Sequence, residues 1–184
     1  MNITMKGKNT NQFAVITGAS QGLGKAFATE LAKRGFNVVL VSLPGQSLSQ
    51  LSDWISQELK VQSFYYETDF SSNANIRALA NWLNEKFNIS ILINNAGIGG
   101  TMPFDEAHID YIDTLLQVNV KATALLTHQL LPNLKRQPQS YILNVSSIAA
   151  FSPVGYKTVY PASKAFVHSF SRGLYAELDR KSVV

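Results

Sequence analysis

The run Thr17-Gly18-Ala19-Ser20-Gln21-Gly22-Leu23-Gly24 constrains this chain more than any other feature. It lies between a short apolar run, Phe13-Ala14-Val15-Ile16, and a stretch where Leu23, Phe27 and Leu31 recur every four residues. A short apolar run bounded by turn residues reads as a buried strand, and a period of four reads as a helix. The segment is therefore strand, tight glycine turn, helix. Glycines at 18, 22 and 24 let the turn close and let the backbone approach a ligand. The helix starting near Gly22 offers free N–H groups and a positive dipole end, which suit a pyrophosphate.

The same alternation continues along the chain. Val38–Val41, Ser63–Tyr66, Ile91–Ile93 and Tyr141–Val145 read as further strands. Helical spacing covers Leu48–Leu59, Ile76–Phe87, a long fourth helix from Ile112 to Leu130, and a fifth from Ala162 to Leu178. Such alternation implies an α/β fold: right-handed crossovers, a doubly wound parallel sheet, helices on both faces. Pro44-Gly45 and Pro103 are ordinary turn signals, so residues 1–184 read as a single domain. A composition of 46% hydrophobic and 15% charged residues is enough to bury a core.

Composition also excludes several classes. There is no cysteine, hence no disulfide framework, thiolate metal site or cysteine nucleophile. His108, His128 and His168 have no ligand spacing, so no metal site is expected. The net charge of +4 is scattered, with only short pairs such as Lys33-Arg34 and Arg180-Lys181. A nucleic-acid surface concentrates its cations, so none is expected. No apolar run approaches the roughly 18 residues of a membrane span. Met1 to Asn11 is polar and reads as a frayed terminus, not a signal peptide. The expected location is cytoplasmic.

The second strand ends at Ser42-Leu43. An acid there would bind the ribose of NAD. There is none, nor an Arg at 43, nor a Lys or Arg at 21 to grip a 2′-phosphate. The cofactor reads as NADP or NAD, leaning to NADP because the repelling carboxylate is missing. Asp69, followed by Phe70 after the third strand, is placed to accept from an adenine amino group or to cap the next helix.

The glycine run, Asn94-Asn95-Ala96-Gly97 after the fourth strand, Ser146-Ser147 after the fifth and Tyr160-Pro161-Ala162-Ser163-Lys164 occur in one order. Over residues 13–180 the sequence resembles the short-chain dehydrogenases/reductases. The resemblance implies a Rossmann-type sheet of order 3-2-1-4-5 plus a partial sixth strand. It implies an oxidoreductase moving a hydride between NAD(P) and a ketone or secondary alcohol. Cofactor contacts are implied at Thr17, Gly18, Ser20, Gln21, Gly22, Leu23, Gly24, Ser42, Leu43, Asp69, Phe70, Asn95, Ala96, Gly97, Tyr160 and Lys164.

By the same resemblance, Tyr160 is the general acid or base, Ser147 hydrogen-bonds the substrate oxygen, and Asn119 holds a water against Lys164. A free phenol has a pKa of about 10 and needs help to ionise. Lys164 lies four residues on, on the same helical face, and its ammonium favours the phenolate. A non-catalytic dinucleotide-binding sensor or scaffold is the alternative, but a pure binder has no need of Tyr160 and Ser147 together. The resemblance also implies a homodimer or homotetramer through the fourth and fifth long helices.

Two departures stand out. The chain ends Arg180-Lys181-Ser182-Val183-Val184, two valines into a sixth strand. The family continues with a Pro-Gly segment, a substrate-covering loop and helix, and a seventh strand. The chain is therefore expected to be a fragment without the substrate lid. Ser90 stands where the family often has Asp before its fourth strand. The segments Ile98–Phe104 and Ile148–Tyr156 are largely apolar and hold no Arg or Lys. They imply a neutral or hydrophobic carbonyl substrate.

Overall fold

Side-chain alternation in β1 (Gln12–Thr17) decides how the sheet is covered, because successive strand residues point to opposite faces. Phe13 and Val15 enter one core cluster, while Ala14 and Ile16 enter another on the opposite face. The computed structural model describes residues 11–178 and 182–183. The stretch read as a frayed terminus, apart from Asn11, and the Arg180-Lys181 pair lie outside those residues.

The elements follow as α1 (Gly22–Lys33), β2 (Asn37–Ser42), α2 (Leu48–Leu59), β3 (Ser63–Glu67), α3 (Asn73–Lys86) and β4 (Asn88–Asn94). After them come α4 (Ile109–Leu116), α5 (Thr123–Lys135), β5 (Ser140–Asn144), α6 (Val159–Glu177) and β6 (Ser182–Val183). The sheet order is β3-β2-β1-β4-β5-β6 and every pairing is parallel. This is the expected doubly wound order with its sixth strand. One cluster joins the Phe13 face to α3, α5 and α6; the other joins the Ala14 face to α1 and α2. The strand order reverses between β1 and β4, and open α/β sheets bind ligands outside the carboxyl ends at such a point.

The structure corrects the reading of Ser90. The residue lies inside β4, not before it. Phe13 pairs with Ile89 and Ala14 with Ile91, so Ser90 is the extra residue of a β-bulge. It is 3% exposed, and its hydroxyl has no partner among the described residues.

The long fourth helix is also not one regular helix. A π-helical turn, Gln117–Ala122, joins α4 to α5. Single π turns widen a helix by one residue and often mark functional positions. Beyond Leu130 the helix continues through Pro132 to Lys135. Buried Leu126, Leu130 and Leu134 hold this segment despite the proline. Asn133 adds a polar anchor: it accepts from the Ile89 amide at 3.0 Å and donates to the Phe87 carbonyl at 2.9 Å.

Candidate active site

Three loops meet at the carboxyl ends of β1, β4 and β5, and hydrogen bonds make the first two into one unit. Thr17, 2% exposed, donates its hydroxyl to the Ile93 carbonyl at 3.3 Å. The same oxygen accepts from the Asn95 amide at 2.9 Å and the Ala96 amide at 3.0 Å. Asn95 returns two bonds, from Nδ2 to the carbonyls of Thr17 at 3.0 Å and Gly18 at 3.2 Å. Both residues are expected from the sequence to touch a cofactor. Their side-chain bonds tie the two loops together, and Asn95 also lines the cleft above them. Thr17→Val leaves two amides without an acceptor and is expected to cost about 2–4 kcal/mol, read from the shift of a urea unfolding curve.

The three glycines answer to different demands. Gly18 has φ +65°, and a Cβ there would lie 2.8 Å from Asn95 Nδ2. A Cβ at Gly24 would collide with the Gly18 carbonyl oxygen, so the first turn of α1 packs directly on the loop. Gly22 has φ +54° with open space around it, so only its backbone conformation requires glycine.

Above this unit lies a cleft of about 570 Å³. Its walls include Gly18, Ser20, Gln21, Ser42, Leu43, Asp69, Phe70, Asn95, Ala96 and Gly97, all expected from the sequence. Gln46, Thr68, Ile98, Thr114 and Val118 complete it and were not foreseen. Thr68 and Ile98 flank expected residues in the chain, whereas Thr114 of α4 and Val118 of the π turn reach the cleft only through the fold. Leu23, another expected contact, lies outside the cleft lining with 62% of its surface exposed. Asp69 turns its carboxylate on Ser71, accepting from the amide and the hydroxyl at 2.8 Å each. A carboxylate has further lone pairs, so it still presents acceptors to the cleft. Glycine backbone, neutral donors and a helix N-terminus make this cleft a fit for a dinucleotide's pyrophosphate and adenosine.

On the other side of Gly97, side chains from three elements converge. Asn119, 1% exposed and inside the π turn, accepts from the Ile98 amide and donates to the Ile98 carbonyl, each at 2.9 Å. Its Nδ2 also reaches Ser163 Oγ at 3.0 Å, and Ser163 donates to the Tyr160 carbonyl at 2.7 Å. Ser163 was not singled out from the sequence. Its place three residues after Tyr160 on one helix face was the available signal. Both Nδ2 hydrogens of Asn119 are thus engaged, and its backbone oxygen accepts from Thr123 Oγ1 at 3.1 Å.

Lys164 donates Nζ to the Val145 carbonyl at 2.9 Å and sits 5.9 Å from the centre of the Tyr160 ring. Gly97 makes room for both partners: a Cβ there would lie 3.2 Å from Asn119 Oδ1 and 3.4 Å from Lys164 Nζ. A Cβ at Gly99 would touch the Tyr160 ring at 3.2 Å. Ser146 fastens β5 to α6 by donating to the Lys164 carbonyl at 2.8 Å. Ser147 Oγ accepts from the Ala149 amide at 3.1 Å and keeps its own O–H donor for another partner.

Burial lowers the pKa of Lys164 from its ordinary 10.5. The unfolded chain therefore holds this proton to higher pH than the folded one. The stability cost is full below the lowered pKa and is relieved as pH rises toward 10.5. Relative to Lys164→Met, the wild-type denaturation midpoint should rise through that window. A constant difference between the two chains would contradict this.

The pocket that Tyr160 lines is largely apolar: Met102, Phe104, Leu115 and Tyr156 share it, and Lys157 is its one charged residue. Tyr156 and Phe104 are 64% and 57% exposed. Tyr156 adopts φ +61°, and its carbonyl accepts from the Met102 amide at 2.7 Å, tying together the loops on either side of Tyr160. Among the described residues there is no group of three or more His, Cys, Asp or Glu that could hold a metal, and no helix long and apolar enough to cross a membrane.

Residues 12–184 match the family model of the short chain dehydrogenases, and the chain belongs to that family. It is 36% identical over 182 residues to a very-long-chain 3-oxoacyl-CoA reductase from Anas platyrhynchos, covering 97% of this chain and 58% of that protein. Hydroxysteroid dehydrogenase-like protein 1 from Gallus gallus is 36% identical, over 96% of this chain and 54% of its own length. The chain thus spans less than two thirds of these curated relatives. Among solved structures, a bulky-bulky ketone specific alcohol dehydrogenase from Comamonas testosteroni superposes with TM-score 0.89 at 32% identity, covering 95% of this chain and 70% of that one. A short-chain dehydrogenase from Sphingobium yanoikuyae in complex with NADPH superposes with TM-score 0.85 at 32% identity, covering 91% and 65%.

Proposed function

We propose that residues 1–184 form one dinucleotide-binding catalytic domain of an NAD(P)-dependent oxidoreductase that interconverts a ketone and a secondary alcohol. The observation that carries this reading is the convergence of Asn119, Tyr160 and Lys164 on the Gly97–Gly99 backbone, beside the glycine-cut cleft. When bound in the cleft, the dinucleotide supplies or accepts the hydride.

The chain handles the proton and the geometry. The Tyr160 hydroxyl gives its proton to the carbonyl oxygen in reduction and takes it back in oxidation. Lys164 stabilises the resulting phenolate, and its lowered pKa eases proton return from solvent. Ser147 aims its free O–H at the same carbonyl oxygen. Asn119 acts by position: it fixes Ile98 and, through Ser163, the backbone of Tyr160. The Asn95–Thr17 tie holds the dinucleotide floor against the catalytic loop.

The exposed apolar residues around Tyr160 favour a neutral, hydrophobic carbonyl compound. The names of the 3-oxoacyl-CoA reductase and the bulky-ketone dehydrogenase agree with that preference. NADP is the favoured dinucleotide, supported by the NADPH complex of the Sphingobium relative and by the missing carboxylate at position 43. A cytoplasmic setting belongs to the same reading. So does a homo-oligomer built on the α4–α5 and α6 faces. Phe166 and Phe170 stack there at 5.7 Å, and Phe166 is 38% exposed. Sedimentation as a monomer at micromolar concentration would contradict the oligomer.

The deciding experiment is a parallel fluorescence titration with NADPH and NADH, followed by a screen of apolar ketones for dinucleotide oxidation. Saturable binding and ketone-dependent turnover are expected. Absence of binding to either dinucleotide would overturn the reading.

A further inference from the structure

Ser147 stands on the loop after β5, whereas Tyr160 and Lys164 stand on α6. Proton transfer needs these side chains at one point, so the angle of α6 against β5 matters. Three consecutive residues at the carboxyl end of β5 hold that angle. The Val145 carbonyl accepts from Lys164 Nζ at 2.9 Å, and Ser146 Oγ donates to the Lys164 carbonyl at 2.8 Å. Both bonds end on the same helix residue. Asn144 supplies the third: its Nδ2 donates to Ser171 Oγ at 2.9 Å, and Ser171 donates in turn to the Val167 carbonyl at 2.8 Å.

Positions 160, 164, 167 and 171 step by four, three and four, so they share one face of α6. Lys164 and Ser171 are about 10 Å apart along the helix, and Tyr160 lies about 6 Å beyond Lys164 on the other side. A rod pinned only at Lys164 can tilt, and a tilt at one end displaces the other. The bond at Ser171 removes that freedom. Buried Val167 and Leu174 also hold α6. Apolar contacts are non-directional and tolerate small shifts, whereas a hydrogen bond weakens when it is misaligned.

The anchor is itself fixed. Asn144 Oδ1 accepts from Asn94 Nδ2 at 2.7 Å, and the same nitrogen donates to Thr127 Oγ1 at 2.9 Å. Asn94 ends β4 and Thr127 lies in α5, so this line of side chains runs from α5 through β4 and β5 to α6. Neither Asn144 nor Ser171 lines the dinucleotide cleft or the pocket of Tyr160.

We propose that Asn144 and Ser171 are positioning residues for proton transfer: their hydrogen bond sets the tilt of α6 on β5, and thereby the place of Tyr160 relative to Ser147. The inference rests on the oxidoreductase reading above. A misplacement of about 1 Å caused at a distance can cost about a hundredfold in rate, so loss of one pin is measurable.

The test compares wild type, Ser171→Ala, Ser171→Thr, Asn144→Ala and the double variant Asn144→Ala/Ser171→Ala. Single-turnover ketone reduction at saturating NADPH reads the chemical step, with NADPH titration and urea unfolding alongside. Ser171→Ala is expected to slow that step about tenfold, with the NADPH dissociation constant and the ketone KM within about twofold of wild type. Ser171→Thr keeps the hydroxyl and should keep the rate. The double variant should be no slower than the slower single variant, because both changes remove one bond. A bond that serves stability alone would lower the urea midpoint and leave the folded protein's rate unchanged, and that result overturns the proposal. Equal losses in Ser171→Ala and Ser171→Thr, or multiplied losses in the double variant, also overturn it. A wild type that reduces none of the apolar ketones overturns the oxidoreductase reading itself.

Discussion

Tyr160→Phe is expected to slow ketone reduction by about 10³-fold, within the range attributed to a positioned general acid, while the NADPH dissociation constant moves less than about twofold. The substitution removes one oxygen and keeps the ring. The ring packs where a Gly99 Cβ would come within 3.2 Å of it and lies 5.9 Å from Lys164 Nζ, and phenylalanine preserves both contacts. Single-turnover rates at saturating dinucleotide separate the chemical step from binding. A loss confined to the chemical step identifies Tyr160 as the proton donor. Rates equal to wild type would refute the catalytic assignment and favour a binding protein that uses the same cleft.

Gly24→Ala should be the most damaging single-methyl change in the chain. Its Cβ would strike the Gly18 carbonyl oxygen and come within 2.6 Å of Asn95 Nδ2. Both are held: Gly18 by its bond from Asn95, and Asn95 by three bonds with the Thr17–Gly18 segment, counting its own amide. Backbone cannot yield as a flexible side-chain tip can. The loop must lift from β4 or the first turn of α1 must unwind. A cost of about 3 kcal/mol is expected, at the upper end for adding one methyl to a packed site, together with loss of NADPH binding. Gly22→Ala is the matching control. Its Cβ meets nothing within 4 Å, so only φ +54° is penalised, by about 1–2 kcal/mol. Similar urea midpoints for the two variants would show that the close approach at Gly24 is not the controlling contact.

The sequence and the structure agree where local pattern suffices. The strands were legible as short β-branched runs because β1, β2 and β4 are buried on both faces. The helix from Leu48 to Leu59 was legible from its apolar steps because it lies on one core cluster and presents its other face to solvent. The order of the sheet came through the family resemblance, and the parallel pairings reproduce it.

Disagreement falls where distant segments meet. Ser90 reads as an ordinary residue before a strand, yet pairing with β1 makes it a buried bulge. The π turn is invisible in a run of leucines and valines. Its distinguishing feature is that Asn119 finds the Ile98 backbone, twenty-one positions away, at 2.9 Å on both of its amide atoms. Thr17 and Asn95 carry the family motif but spend their side chains on each other's loops. Ser163 becomes meaningful only once α6 lies against the π turn.

The sequence by itself determined the alternation of elements, the glycine turn and the residue types available for proton transfer. These depend on spacing of two, four or a few residues, and neighbouring backbone dictates them directly. Only the tertiary structure decided which polar atoms are consumed by the scaffold and which remain for a ligand. It committed Thr17 and Asn95 to the scaffold and left the Ser147 hydroxyl a donor. The bonds that engage Thr17 and Asn95 join chain segments more than seventy residues apart, and no local pattern encodes them.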